Sequence, residues 1–215
     1  LVISFEMTNK ELRERLLSSV TKLDHQDIRL KRLLAEQKKL CKSKFKEFVQ
    51  TGANNRLTLW GTSEDLSVPE ISAITAHMGY DVIYIDYIGL VKAPAGKEQH
   101  QVLGDIVRDC KLMAKKNDQL VVPMAQLDDE TFKIKYSKAI KANCDFIWAW
   151  ELNEMEKAMG VLKVNQYKVR HGPEVPFYLR IDLSKMYFSD YDGPEPQFAP
   201  KEEKKPIPKM NIGHN

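Results

Sequence analysis

Cysteine is scarce in this chain and nothing pairs it up. Cys41, Cys110 and Cys144 lie far apart, and no CxxC is present. That pattern argues against a disulfide framework and for reduced thiols in a cytosolic protein. The five histidines show no metal-ligand spacing, so a histidine-rich metal centre is set aside. No apolar run approaches the length of a membrane span and no signal peptide is recognisable, which points to a soluble, cytoplasmic protein with no membrane partner. A large excess of one charge is missing too. Lys and Arg number 33 against 30 Asp and Glu, a net charge of +3, so a polyanionic partner has to be argued from local clusters. There is no internal repeat. What remains is 215 residues, 43% hydrophobic, enough for one globular domain with a real core plus some tail. The chain opens at Leu1 inside what reads as a strand, so an N-terminal part of the core is expected to be missing.

The stretch that organises the rest is Asp81-Val82-Ile83-Tyr84-Ile85-Asp86-Tyr87, with Gly89 just beyond. A short continuous apolar run reads as a strand buried on both faces, as in a parallel sheet. In open α/β sheets ligands bind outside the carboxyl ends of the strands. Asp86 therefore stands at the working edge, where a carboxylate can hold a Mg²⁺ that bridges phosphates. An Asp in that position is also a common turn former.

Around it the chain alternates strands and helices. Leu1 to Phe5 reads as a strand ending at Glu6, and Thr8-Asn9-Lys10-Glu11 as a capping box opening a helix with Leu12, Leu16, Leu17 and Val20 on one face. Residues 22–48 are helical in composition, with nine basic residues against four acidic, and read as a solvated excursion. Arg56 to Trp60 is a second strand. Ser67-Val68-Pro69-Glu70 opens a helix running to about Met78, before Gly79. A helix follows the 92–101 loop, with Leu103, Ile106, Val107, Cys110 and Met113 at helical spacing. Gln119 to Gln126 is a strand despite Pro123, which removes a ladder hydrogen bond. Residues 127–143 read as a polar loop and Asp145 to Trp150 as a strand ending at Glu151. Val161–Val169 and Val175–Leu183 form a hairpin around Arg170-His171-Gly172-Pro173. From Asp192 on, five of ten prolines fall beside Lys201-Glu202-Glu203-Lys204-Lys205; this composition predicts a disordered tail at 194–215. The expected class is α/β, with a mostly parallel sheet flanked by helices and a C-terminal β-hairpin.

Four features fall in a telling order: Glu6 at one strand end, Asp86 at a second, Gln126 at a third, and Lys168-Val169-Arg170 beside a Gly-Pro turn. Over roughly residues 1–193 this resembles the C-terminal ATPase domain of DnaB-type replicative helicases, hexameric ring motors on a RecA-like P-loop NTPase core. Ser4-Phe5-Glu6-Met7 is similar to the family's motif bearing the catalytic glutamate, and Ile85-Asp86-Tyr87-Ile88-Gly89-Leu90 to its Walker B motif. Val121 to Leu127 resembles the strand whose glutamine senses the γ-phosphate, and Lys168 to Pro173 the hairpin carrying the arginine finger.

The resemblance implies ATP and Mg²⁺ as cofactors. Glu6 would orient the attacking water, Asp86 would bind Mg²⁺ through its water shell, and Gln126 would report the γ-phosphate. Lys168 and Arg170 would stabilise transition-state charge in a neighbouring subunit's site. It further implies single-stranded DNA in a central channel, gripped by the loops at 92–101 and 127–143. Lys133, Lys135, Lys138 and Lys141 would meet phosphates there, with Phe132 or Tyr136 for stacking. Identical subunits in a ring, primase and a helicase loader are the implied protein partners.

Taken singly, the bland readings stand beside these. Glu6 can be a first-turn acid, Gln126 a surface amide, the Lys168–Arg170 pair a solvated strand face, and the lysine run a charged surface.

The sequence departs from the pattern in one large respect. Nowhere in it is there a GxxxxGK(S/T), the glycine-rich turn that cradles phosphates, and Ala95-Gly96-Lys97 has neither its spacing nor its context. These 215 residues alone are therefore expected to bind nucleotide poorly and hydrolyse little. Pro123, Gly89 and the basic insertion suggest a divergent member of phage origin, working in the host cytoplasm. A RecA/RadA-type recombinase-like ATPase stays open as an alternative. So does a non-catalytic, degenerate RecA-like module that binds a helicase or loader.

Overall fold

Side-chain caps decide where several helices begin. A computed structural model describes residues 1–50, 56–93, 99–126, 137–150, 152–194 and 196. β1 (Val2–Ser4) leads through a short turn to α1 (Asn9–Thr21). The expected capping box is formed: Glu11 N donates to Thr8 Oγ1 at 3.3 Å, and Thr8 N to Glu11 Oε2 at 2.9 Å. In α1 the most buried residues are Leu12, Ser18 and Thr21, while Leu16, Leu17 and Val20 are only half-buried. The basic stretch forms two helices, α2 (His25–Arg29) and α3 (Ala35–Gln50). Leu34 and Phe45 remain largely exposed there, so much of that stretch's apolar content covers no core.

β2 (Leu59–Gly61) is followed by α4 (Val68–Thr75), which starts on the Ser67–Glu70 capping box with Pro69 in the first turn. The helix stops three residues before Met78. A turn ending at Gly79, with φ +67°, then leads into β3 (Val82–Asp86). α5 (Gln99–Asn117) and β4 (Leu120–Pro123) complete a four-stranded parallel sheet of order β2-β1-β3-β4.

α4 and α5 cover one face of this sheet. Ile3, Ile83 and Ile85 point into the core, fully buried with Val68, Ile71, Ile106, Val107, Cys110 and Met113. The other face corrects the expectation of a strand buried on both sides. Tyr84 is 38% exposed and Leu120 57%, because no described helix lies over them. The sheet pattern is thus an alternation, read by period rather than by hydrophobicity alone.

Pro123 is accommodated for a geometric reason. Leu120 N donates to Asp81 O and Met124 N to Ile85 O, both at 2.9 Å, so the even-numbered amides of β4 face β3. The nitrogen of Pro123 faces the opposite side, where the described residues supply no ladder partner, as suits an edge strand.

Residues 127–136 lie outside the described residues, but the end of the expected 127–143 loop is a helix, α6 (Ser137–Asn143). It packs against α5 where Gly104 removes a side chain; a Cβ there would lie 2.9 Å from the Cβ of Ala139. After it come β5 (Phe146–Ala149), α7 (Glu154–Met159), β6 (Val161–Val169), β7 (Phe177–Asp182) and β8 (Tyr187–Asp190). The last four strands named form a separate antiparallel sheet in sequence order, β5-β6-β7-β8. The expected C-terminal hairpin is therefore the middle of a larger sheet. β5 joins it antiparallel to β6, and Ile147 from β5 reaches back into the main core. Glu151, the expected end of the β5 strand, lies outside the described residues, as does nearly all of the 194–215 tail.

Cys110 sits at the centre of the α5 face at 2% exposure. Burial, aided by Cys144 and then Asp109, pushes its thiol up to about 12. A thiolate is the reactive form, so iodoacetamide at pH 8 should leave Cys110 unmodified in the native protein and label it fully in denaturant. Rapid native labelling of Cys110 by mass spectrometry would show that α5 does not pack as described.

Candidate active site

Parallel pairing brings the sequence-predicted carboxyl edge together. Ser4 lies opposite Asp86 across β1 and β3, and opposite Gly61 across β1 and β2. Ile85 lies opposite Pro123 across β3 and β4. Because strand order is β1-β3-β4, Asp86 stands between the strand leading to Glu6 and the strand leading to Gln126. The backbone ladder continues past the strands: Phe5 N donates to Asp86 O at 2.8 Å, and Ile88 N to Met124 O at 2.9 Å. These bonds hold the three strand-end segments in register. Glu6 and Gln126 are exposed and Asp86 half-buried, so all three face accessible space.

Ser4 is the residue that sequence reasoning passed over. It is fully buried. Its Oγ donates to Asp86 Oδ2 at 3.2 Å and accepts from Met7 N at 3.0 Å. One hydroxyl thus fixes both the orientation of the Asp86 carboxylate and the turn that carries Glu6. The signal available was only the small polar residue next to Phe5-Glu6 in an otherwise apolar strand. The same turn is braced from the other side, where Gly61 N donates to Asn9 Oδ1 at 2.8 Å. A Cβ on Gly61 would lie 2.6 Å from Asn9 N and 2.7 Å from the Thr8 carbonyl carbon, so the close approach requires glycine.

Among the described residues no group of three or more His, Cys, Asp or Glu side chains could hold a metal ion. Mg²⁺ in nucleotide sites usually takes one or two protein carboxylates, with waters and phosphates supplying the other ligands. A single oriented Asp86 fits that chemistry. A phosphate cradle does not come from these 215 residues, which contain no GxxxxGK(S/T); Ala95-Gly96-Lys97 lies outside the described residues.

Lys168 and Arg170 sit at the far end of β6, in the second sheet. Among the described residues no hydrogen bond or ion pair joins them to Glu6, Asp86 or Gln126. Instead Lys168 Nζ donates to the Lys141 carbonyl, and Arg170 pairs with Asp145 at 2.5 Å. Asp145 also accepts from Lys111 Nζ at 3.1 Å. Burial alone would raise the Asp145 carboxyl, but Lys111 and then Arg170 outweigh it and hold it below the ordinary value of 3.8. Of the four lysines singled out for DNA, Lys133 and Lys135 lie outside the described residues, as does the Lys138 side chain, and so do Phe132 and Tyr136. Lys141 is exposed, with its ammonium 3.9 Å from Glu174.

Residues 1–142 match the family described as the DnaB-like helicase C terminal domain. The chain belongs to that family. Solved structures share its fold: one helicase ATPase domain aligns at a TM-score of 0.79 and 20% identity, covering 89% of this chain and 74% of that one. A DnaB-like replicative helicase, solved with its interactions with primase, aligns at 0.76 and 20%, covering 89% of this chain and 50% of that one. The KaiC-like protein PH0186 from the hyperthermophilic archaeon Pyrococcus horikoshii OT3 aligns at 0.53 and 11%, covering 88% and 74%. At these identities the likeness is one of fold. No curated protein sequence matches the chain.

Ser4→Ala leaves the half-buried Met7 amide without its partner and frees Asp86 to rotate. It should lower the unfolding free energy by about 1–3 kcal/mol, read as a lower urea midpoint with an unchanged slope. An unchanged midpoint would mean that the Ser4 bridge does not form.

Proposed function

We propose that this chain is motor-domain sequence of a replicative DNA helicase, in which ATP hydrolysis drives movement along single-stranded DNA and duplex unwinding by a hexameric ring. The observation that carries the proposal is the ordered carboxyl edge: Glu6, Asp86 and Gln126 on adjacent parallel strands, with Ser4 tying the first two together. Membership of the DnaB-like family supports it.

Bound ATP with Mg²⁺ would supply the phosphoryl group and the charge clamp. Within the chain, Glu6 holds and polarises the attacking water from its exposed turn. Asp86, turned by Ser4, would hold the metal with its carboxylate. Gln126 would sense the γ-phosphate and pass its presence to the segment that follows β4. Lys168 and Arg170 act on the neighbouring subunit, placing positive charge where the transferred group gathers negative charge. Hydrolysis then depends on a formed interface, which is how a ring can order its subunits.

Lys133, Lys135, Lys138 and Lys141 meet DNA phosphates, with Lys141 exchanging Glu174 for the strand. Docking to primase is carried over from the DnaB-like relative, and a helicase loader and phage origin from the sequence resemblance. In the described residues no helix is long and apolar enough to cross a membrane. Action in the cytoplasm is carried over from the sequence resemblance.

Two experiments test this. Reading the encoding frame upstream of Leu1 should show a GxxxxGK(S/T) between a strand and a helix; a start codon close to Leu1 without that loop would leave a non-catalytic RecA-like module as the better reading. Mixing the chain with a subunit that carries a phosphate loop should raise ATPase activity. Arg170→Ala should cut that rise by about three orders of magnitude, the range of an arginine finger. A rise indifferent to Arg170→Ala would remove the finger assignment.

A further inference from the structure

Arg170 is attached to residue 145 twice. Its backbone N donates to Asp145 O at 3.0 Å, and its Nη1 to Asp145 Oδ1 at 2.5 Å. Two attachments fix both the position of the residue and the direction of the guanidinium. The carboxylate is itself fixed from behind. Lys111 Nζ reaches the same Oδ1 at 3.1 Å, and its side chain, at 22% exposure, is the least exposed of the three; those of Asp145 and Arg170 stand at 42% and 53%. Lys111 comes from α5, one turn beyond Val107 and beside Cys110, which are packed into the main core. The guanidinium is therefore referenced to the core rather than to the β6–β7 turn.

The charge balance shows what such a contact can do. Two cations share one carboxylate, so the cluster keeps a formal charge of +1, and Lys168 lies two residues away. Among the described residues Nη1 is the only side-chain nitrogen of Arg170 with a partner, which leaves Nη2 and Nε as donors. A group that switched Arg170 off would neutralise it and occupy its fork. Asp145 does neither. An ion pair this exposed also contributes little to stability, so its main consequence is orientation.

We propose that Asp145, backed by Lys111, is the positioning residue of Arg170: it holds the guanidinium by one nitrogen and presents the other two to a phosphate on an adjacent subunit. The proposal rests on the reading that Arg170 acts in trans. Orientation of a group that acts in the transition state changes kcat, whereas uniform ground-state binding changes KM.

The test is steady-state ATPase of the protein expressed from its complete reading frame, with thermal unfolding of each variant alongside. Asp145→Asn should lower kcat about tenfold while KM for ATP stays within about twofold, and Asp145→Glu should restore most of the rate. Asp145→Asn in an Arg170→Ala background should cost nothing further, as for residues acting as a unit. If Asp145→Asn does not fold, Lys111→Met replaces it, with a smaller loss of kcat expected. Wild-type kcat in folded Asp145→Asn or Lys111→Met, or losses that multiply with Arg170→Ala, overturns the positioning role while Arg170 keeps its place. Full activity of Arg170→Ala itself overturns the finger, and the positioning role falls with it.

Discussion

The parallel register that sets Ser4 opposite Asp86 is the constraint on which the candidate site depends. Side chains alternate along a strand, so a slip of one residue in β1 against β3 would turn Ser4 into the helix-covered face and Ile3 out of it. The core excludes that slip, because Ile3, Ile83 and Ile85 must all lie under α4 and α5. Burial of three isoleucines therefore sets the position of a hydroxyl and a carboxylate that follow Ile3 and Ile85 on the opposite face of the sheet. Ser4 then converts register into orientation by bonding Asp86 on one side and the Met7 amide on the other.

The second half of the site obeys a different logic. Lys168 and Arg170 belong to an antiparallel sheet, and their placement relies on groups from α5 and from the end of α6. The Lys141 carbonyl and Asp145 flank the end of α6, and each holds one of the two cations. α6 can serve as that reference because it lies close to α5, where Gly104 leaves room for Ala139 and Ile140 is buried. Packing between two helices thus reaches the charged end of a strand in another sheet. A family motif cannot report this, since the motif records the arginine and not the acid that aims it.

Much of the fold was legible in the residues. The Thr8–Glu11 and Ser67–Glu70 capping boxes, the α5 apolar stripe and the Val161–Leu183 hairpin all rest on local chemistry that survives in any context. A third capping box, Asn153 with Glu156, followed by Gly160 at φ +62°, carried the same local signature for α7 and was overlooked. Misreadings arose where burial was inferred from composition. Val82 to Ile85 is apolar throughout, yet Tyr84 faces outward, since a run of hydrophobic residues does not say how many faces are covered. α6 was hidden for the opposite reason: its lysines look like a loop, while Ala139 meets Gly104 of α5 and Ile140 is buried.

Sequence by itself determined the order of the chemical groups along the chain, the starts of α1 and α4 and the membership of the DnaB-like family, because these depend on neighbours within a few residues or on an ordered set of short motifs. Tertiary structure alone decided that Ser4 joins Glu6's turn to Asp86, that the missing amide of Pro123 faces away from its ladder, and that Arg170 is held by Asp145. Each of those contacts joins elements brought together by strand order and helix packing, and distance in space across tens of residues is not written in local spacing.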